Sequence, residues 1–332
     1  MRNVIVIGAG PAGFSVAAEC SYHEVPDVLV LEKGPTHNQT VYQYYPDDKR
    51  VDAAYKGQEA ICAGVLCFRD TTKDNFLAIV DQMLQRYEFP VEFNATVDSI
   101  QRGRDGTFSV STTDGKNHQS KVVVIAIGRM GKPNRPDYFN AIPANARMKV
   151  QFDTRNLDAT GKNILVVGGG NSAIEFALSL ANKGKVTVSY RKNDFTRLNP
   201  MNLELLLNDE KKGKIKILRG SDVEKVEEKD GKPWVHFKSQ GDEAFDHVVF
   251  GIGGSSPAAF LESAGIRLDG KGNPQLTPEL ETNVKNLFVA GELSVAPGKG
   301  SIIASFNSGK KVVESITQRL GVTRKPDLVH LA

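Results

Sequence analysis

The chain has 332 residues, 40% of them apolar and 24% charged, with 42 basic and 39 acidic side chains for a net charge of +3. So even a balance argues against a nucleic-acid footprint, yet it allows an acidic protein to dock on a local basic face. The length suggests two domains, no apolar run approaches the ~18 residues needed to span a bilayer, and three cysteines without a signal peptide ahead of about Val4 point to a soluble cytoplasmic protein.

The first element is NVIVIGAGPAGFSVAAEC (3–20), a β-branched run, a glycine turn and a helix pattern. Gly8 makes the tight turn, Gly10 lets the backbone approach a pyrophosphate, and Gly13 lets the helix pack on its strand, with Pro11 and Ala12 between them. The free N–H groups of that helix N-terminus then face the phosphates. The next strand, VLVLE (28–32), ends on Glu32, followed by Lys33. A carboxylate there accepts both hydroxyls of an adenosine ribose and repels a 2′-phosphate, which suits FAD or NAD and not NADP.

Tyr42, Tyr44 and Tyr45 follow within about one loop. An aromatic face here can cover an isoalloxazine and exclude water; the alternative is a packed or exposed loop tyrosine. The stretch AICAGVLCFRD (60–70) holds Cys62 and Cys67 among apolar neighbours. Burial raises a thiol pKa, so the two read as packed thiols rather than a redox pair. Residues 68–119 read as alternating strands and turns, VEFNATVDSI then DGTFSVSTTDG, suited to a small antiparallel sheet. KVVVIAIG (121–128) is an apolar strand ending on Gly128.

NILVVGGGNSAIEFALSL (163–180) aligns with residues 3–20 without a gap, a second βαβ unit about 160 residues on. Its turn carries Gly168, Gly170, Asn171 and Ser172, with Ala173 in place of the third glycine. The strand VTVSYRK (186–192) ends at Tyr190 with no acid, and Arg191 and Lys192 sit where a 2′-phosphate would lie. This predicts an NADPH-preferring site; the alternative is a solvated basic turn that takes NADH. FDHVVFGIGG (245–254) closes this unit, and TNVKNLFVAGELS (282–294) and GKGSIIASFNSGKKVVESI (298–316) add a strand with Gly291 and Glu292 and a glycine loop feeding a helix from about Ser301. The predicted fold is α/β, with two Rossmann-like dinucleotide-binding domains of three-layer ββα type. An NAD(P)H domain at 129–254 is inserted into a discontinuous FAD domain at 1–128 and 255–332.

In this order the motifs GAGPAG, acid at strand two, AIG, GGGNSA, RK and TNVKNLFVAGE resemble the thioredoxin-reductase-like flavoproteins over nearly the whole chain. The resemblance implies FAD on the first domain, NAD(P)H on the second, and a homodimer. Gly8, Gly10, Gly13 and Glu32 match the FAD fingerprint. Gly291-Glu292 stands where the family has a Gly-Asp that holds the ribityl chain, and Ser301 to Ile303, Ile302 among them, match the helix N-terminus facing the flavin O2. Arg191 and Lys192 match the first two cations of an RRxxFR pattern, Phe195 keeps its place, and the last cation slips by one to Arg197.

Thioredoxin reductases carry a CxxC before the second glycine turn, and the window 147–163 has no cysteine. The resemblance therefore narrows to the branch without it: ferredoxin–NADP reductases, flavodoxin reductases and bacillithiol disulfide reductases. Tyr45-Pro46 matches a Tyr-Pro of the first group, whose tyrosine stacks on the flavin, and GKGSIIASFNSG resembles their loop into the last helix. The implied function is hydride exchange between NADPH and flavin, with single electrons passed to or from a small acidic carrier, ferredoxin or flavodoxin. No side chain is assigned as a proton-transferring catalyst and no metal is expected. The alternatives are a low-molecular-weight disulfide or quinone reductase and, from another class, a flavin- and NADP-binding redox sensor.

Overall fold

The computed structural model describes residues 1–45, 49–54, 61–129, 133–154, 157–254, 257–296 and 300–328, except for the side chain of Tyr44. Pro46 of the Tyr-Pro pair and Gly298-Lys299 of the glycine loop lie outside the described residues. The chain divides into two compact units, Met1–Gln43 with Arg50–Arg129 and Ser256–Ala332, and Tyr44–Lys49 with Met130–Ser255. The short segment Tyr44–Lys49, read from the sequence as part of the first domain, thus packs with the second unit.

The first unit is built on a mixed sheet. Arg2–Ile7 lies between Val28–Leu31 and Asn117–Ile125, all parallel, and Leu287–Val289 joins Asn117–Ile125 on its far side, also parallel. These strands are continuous apolar runs because both faces are covered. Two core clusters divide the work, one on Val4, Val6, Val30 and Val124, the other on Ile5, Ile7, Leu31 and Ile125. The first helix, Pro11–Tyr22, and the last, Ile302–Leu320, cover one face together. They cross closely at Gly309, where any β-carbon would run into the Ser15 side chain, and Ser15 Oγ donates to the Phe306 carbonyl at 2.7 Å.

Two expectations need correction here. The 68–119 stretch contains a helix, Lys73–Arg86, which period-two reading missed; Phe76 and Val80, four residues apart, bury one face of it. The antiparallel strands Val97–Arg102 and Phe108–Thr112 do form, but they extend the main sheet through Asn117–Ile125 rather than standing apart. The cysteines also differ: Cys62 and Cys67 are joined in a disulfide, and Cys20 alone is a buried free thiol.

The second unit has a fully parallel sheet in the order Ile215–Arg219, Lys185–Tyr190, Asn163–Val167, His247–Phe250, Val150–Gln151. A ribbon of Val223–Lys229, Lys232–Phe237 and Glu243–Ala244 packs its Val226, Val235 and Phe237 into the same core as Leu165 and Val248. No helix among the described residues is long and apolar enough to cross a membrane.

Candidate functional site

In the first unit the parallel strands end in register at Ile7, Leu31, Ile125 and Val289. Gly8, Glu32, the Ala126–Gly128 turn and Gly291 therefore leave the sheet along one edge, the carboxyl edge where open α/β sheets bind ligands. Gly8 has φ 100°, and a β-carbon there would lie 2.7 Å from the Ala126 carbonyl. A β-carbon on Gly13 would strike the Gly8 carbonyl, so the helix can sit this close only on glycine. Gly10 is the opposite case, with nothing within 4 Å of where its β-carbon would be. The helix begins there with Pro11 at its first position and no side-chain cap, which leaves backbone N–H groups free for a phosphate.

Glu32 is buried, and its two oxygens hold the turn: Oε2 accepts from the Ala9 N–H at 2.6 Å and Oε1 from the Gly34 N–H at 2.7 Å. Each oxygen keeps a further lone pair for a ribose hydroxyl. Lys33 beside it is exposed.

Gly291, at φ 82°, donates its N–H to Ser308 Oγ of the last helix at 2.8 Å. Glu292 next to it is half-buried and makes no side-chain hydrogen bond or ion pair among the described residues. Ser301 caps the last helix, its Oγ accepting from the Ala304 N–H at 2.9 Å, and Ile302 is the first helical residue. Gly128, at φ 68°, faces open space.

Three residues here escaped sequence reading. Arg129 donates to Asn273 Oδ1 at 2.6 Å and to the Glu292 and Val295 carbonyls at 3.1 Å each, so it clamps the segment that carries Glu292. Asn38 is 1% exposed and donates its N–H to the Ala9 carbonyl at 2.8 Å, while its Oδ1 is buried without a partner. Gln39 lies against Gly34 and leaves Oε1 equally orphaned. Buried acceptors are normally satisfied, and these two flank the residues that grip Glu32. The residues present thus fit FAD: bare N–H groups for pyrophosphate, a carboxylate for ribose, and orphan acceptors for its hydroxyl or amino donors. The one sequence signal was an asparagine just ahead of the helix Gln39–Tyr44.

In the second unit the strands end at Val167, Tyr190 and Phe250, and the turn Gly168–Gly170 follows the first of them. Ala173 is tolerated in the third-glycine place because Gly251 faces it: a β-carbon on Gly251 would come within 2.6 Å of the Ala173 methyl. Gly170 is open and Ser172 exposed. Asn171 points its Oδ1 at the next helix, Pro200–Lys211, accepting from the Asn199 N–H at 2.9 Å and Asn202 Nδ2 at 3.1 Å. Asn202 also donates to Glu175 Oε1 at 3.1 Å, and Glu175 Oε2 pairs with Lys49 at 2.7 Å. Lys49 Nζ in turn sits 3.6 Å from the Tyr45 ring centroid. Tyr45 therefore has a cation on one face and shares its segment with this polar network.

At the strand end, Tyr190 is buried, stacks on Phe195 at 4.9 Å, and lies so close to Gly169 that no β-carbon fits between them. Arg191, Lys192 and Arg197 are exposed and make no ion pair among the described residues. They leave three cations available to an anion such as a 2′-phosphate.

A family model described as pyridine nucleotide-disulphide oxidoreductase matches residues 5–291. The chain is 29% identical over 313 residues, 92% of its length and 94% of the other's, to a curated ferredoxin–NADP reductase of Ignicoccus hospitalis. It superposes on the bacillithiol disulfide reductase Bdr (YpdA) of Bacillus cereus with a TM-score of 0.80 at 24% identity, covering 96% of this chain and 99% of that one. A Lactococcus lactis thioredoxin reductase in its FR conformation gives a TM-score of 0.76 at 22% identity, covering 96% and 98%. At those identities the two structures speak for the fold alone, a thioredoxin-reductase-like pair of Rossmann-type units.

Proposed function

This chain belongs to the pyridine nucleotide-disulphide oxidoreductase family, and we propose that it works there as a ferredoxin/flavodoxin–NADP reductase. It is an FAD-dependent oxidoreductase that uses FAD and NADPH. The observation that carries the reading is the contrast at the two strand ends. Glu32 closes the first turn with a buried carboxylate, and exposed Arg191 and Lys192 follow the second.

In this reading the backbone N–H groups of Gly10, Ala12 and Gly13 face the FAD pyrophosphate, and Gly8 makes the turn with its own N–H on the Leu31 carbonyl at 2.8 Å. Pro11, which has no N–H, opens the helix, and Glu32 takes the ribose. Gly128, Gly291, Glu292, Ser301 and Ile302 line the flavin side, with Arg129 holding Glu292 in place. Gly168, Gly170, Ser172 and Ala173 form the NADPH turn; Asn171 braces it against the next helix, and Arg191, Lys192 and Arg197 read the 2′-phosphate. Tyr45 is the candidate ring for stacking on the isoalloxazine. FAD, when bound, supplies hydride exchange with the nicotinamide and single-electron exchange with a carrier. The chain's own part is to bind, orient and exclude water.

The acceptor we favour is a small acidic redox protein, and we place the enzyme in the cytoplasm as a homodimer. No CxxC lies in 147–163, so the dithiol route of thioredoxin reductases has no residues to run on. The test is anaerobic stopped-flow with the yellow protein, mixed with NADPH and then with oxidised ferredoxin, flavodoxin or a low-molecular-weight disulfide. Fast reoxidation by ferredoxin or flavodoxin is the expected result. Reoxidation by the disulfide alone makes it a disulfide reductase, and failure of NADPH to bleach the flavin removes the reductase reading.

A further inference from the structure

The Cys62–Cys67 disulfide closes a short segment with Cα atoms 5.5 Å apart at its ends. That segment is held by side chains of two helices. Asn307 of the last helix grips both sides of Cys62: its Oδ1 accepts from the Ala63 N–H at 2.9 Å and its Nδ2 donates to the Ile61 carbonyl at 2.7 Å. Glu19 of the first helix accepts from the Val65 N–H at 2.6 Å, and Gly64 lies so close to that carboxylate that a β-carbon would overlap it. Past the bridge, Phe68 packs edge-on against Phe76 at 5.2 Å and Phe306 at 6.1 Å. Cys62 and Cys67 themselves are only half-buried, and Ile61 beside them is 62% exposed.

The anchors are set back from the starts of their helices, Glu19 in the last turn of the first and Asn307 in the second turn of the last. Asn307 is six residues past the Ser301 cap and Glu19 nine residues past Gly10. At 1.5 Å per residue these are roughly 9 and 14 Å from the helix ends that face the dinucleotide. An electron pair passes between a flavin and a disulfide only when a sulfur touches the ring, and both anchors of this segment are set back from those helix ends. What it does present to solvent is a partly accessible disulfide on a loop, and such bonds are the ones that exchange.

We propose that Cys62–Cys67 is a thiol–disulfide exchange site for an external dithiol, and that it lies outside the electron path of turnover. One thiolate of the dithiol attacks a cysteine sulfur, the bridge breaks, and the other cysteine leaves as a thiolate that takes a proton. The second thiol of the dithiol then closes its own disulfide and releases the first cysteine as a thiol. Two electrons and two protons move from the dithiol to the bridge. Opening it removes the covalent closure that keeps the Ala63 and Val65 N–H groups on Asn307 and Glu19. In the cytoplasm proposed above, a disulfide of this kind is transient or sensing rather than structural.

The test counts thiols on the air-oxidised holoprotein by maleimide mass shift after denaturation. Untreated protein shows one thiol, Cys20, whereas treatment with dithiothreitol or with reduced thioredoxin shows three. Anaerobic NADPH alone leaves one. Opening by dithiothreitol but not thioredoxin assigns the site to small dithiols. Hydrogen exchange over 61–68 then rises at least tenfold on opening, and the double variant Cys62→Ser/Cys67→Ser reproduces that exchange without dithiol. Three thiols after NADPH alone would put the bridge on the flavin path and overturn the proposal. One thiol after both dithiols makes it a fixed structural bond, and three thiols in the untreated protein means that it does not form. If NADPH fails to bleach the flavin, the reductase reading falls, and the two dithiol arms still decide this one.

Discussion

The two glycine turns use one backbone device and finish it differently. In the first, the third glycine is required, since a β-carbon on Gly13 would strike the Gly8 carbonyl, and the strand end supplies a carboxylate that ties down two N–H groups. In the second, Ala173 fills that place because Gly251 has retreated opposite it. There a stacked Tyr190–Phe195 pair braces the turn, and the charged residues after it stay free. On the proposed reading the turn itself is common to both dinucleotides, and selection resides in what the second strand carries at its end. The helices differ in the same sense. Glu175 of the second is ion-paired with Lys49, whereas Glu19 of the first is 1% exposed, accepts from one backbone N–H and has His23 Nε2 3.7 Å from its other oxygen, with its pKa pushed up to about 7 by burial.

The largest effect should come from Gly13→Ala. Its methyl meets backbone that cannot move without breaking the turn, at or above the ~1–3 kcal/mol usual for overpacking, and the protein should purify without yellow colour. The mirror change, Ala173→Gly, should keep full coenzyme binding, which is the sharpest test of the asymmetry. Glu32→Ala comes next. It leaves the Ala9 and Gly34 N–H groups unpaired at about 1–3 kcal/mol each, so flavin retention and melting temperature should both fall.

Glu19→Gln should act through pH. A folded pKa near 7, against 4.5 for the free group, means that the native state holds a proton the unfolded state has lost. That stability is complete below about pH 4.5 and is lost as pH rises through 7, for roughly 3 kcal/mol at most. Glutamine keeps an acceptor for the Val65 N–H and removes the slope, so the variant should melt higher than wild type at pH 8 and match it at pH 4.5. His23, whose pKa burial lowers, works in the opposite direction below its ordinary 6.5 and lies 3.7 Å from the Glu19 carboxylate, so the deciding comparison is the one at pH 8, above that range. A loss of stability at pH 8 would show that the Glu19 charge is favourable there.

Arg191→Ala/Lys192→Ala should raise the KM for NADPH about 10–100-fold, in line with about 1.5–3 kcal/mol for hydrogen bonds to a charged group, and leave that for NADH unchanged. The smallest effect belongs to Ala173→Gly on stability, about 0.5–1 kcal/mol from the added backbone freedom, read as a fall of a few degrees in melting temperature.

Both turns, both strand ends and the last helix were legible because each is a local pattern: a β-branched run, a glycine spacing, a serine cap ahead of Ile302–Leu320. The helix Lys73–Arg86 was missed although Phe76, Val80, Met83 and Leu84 carry a helical spacing, because Leu77, Ala78 and Ile79 fill the gap into a continuous apolar run that a buried strand also shows. The disulfide was missed because pairing depends on how Asn307 and Glu19 fold the loop back, and neither is near it in sequence. Asn38, Gln39 and Asn202 belong to polar networks that follow no period, and Tyr44–Lys49 could not be assigned to the second unit without Glu175 in view.

The central claim is that the strand end, and not the glycine turn, selects the dinucleotide. Anaerobic titration of the flavin-loaded protein with NADPH and with NADH, following the loss of flavin absorbance, tests it most directly. The account predicts half-bleaching at a concentration at least ~10-fold lower for NADPH, as expected for one charge-assisted contact of about 1.5 kcal/mol, with that gap closed in Arg191→Ala/Lys192→Ala. Equal titration of the wild type by both coenzymes would contradict it.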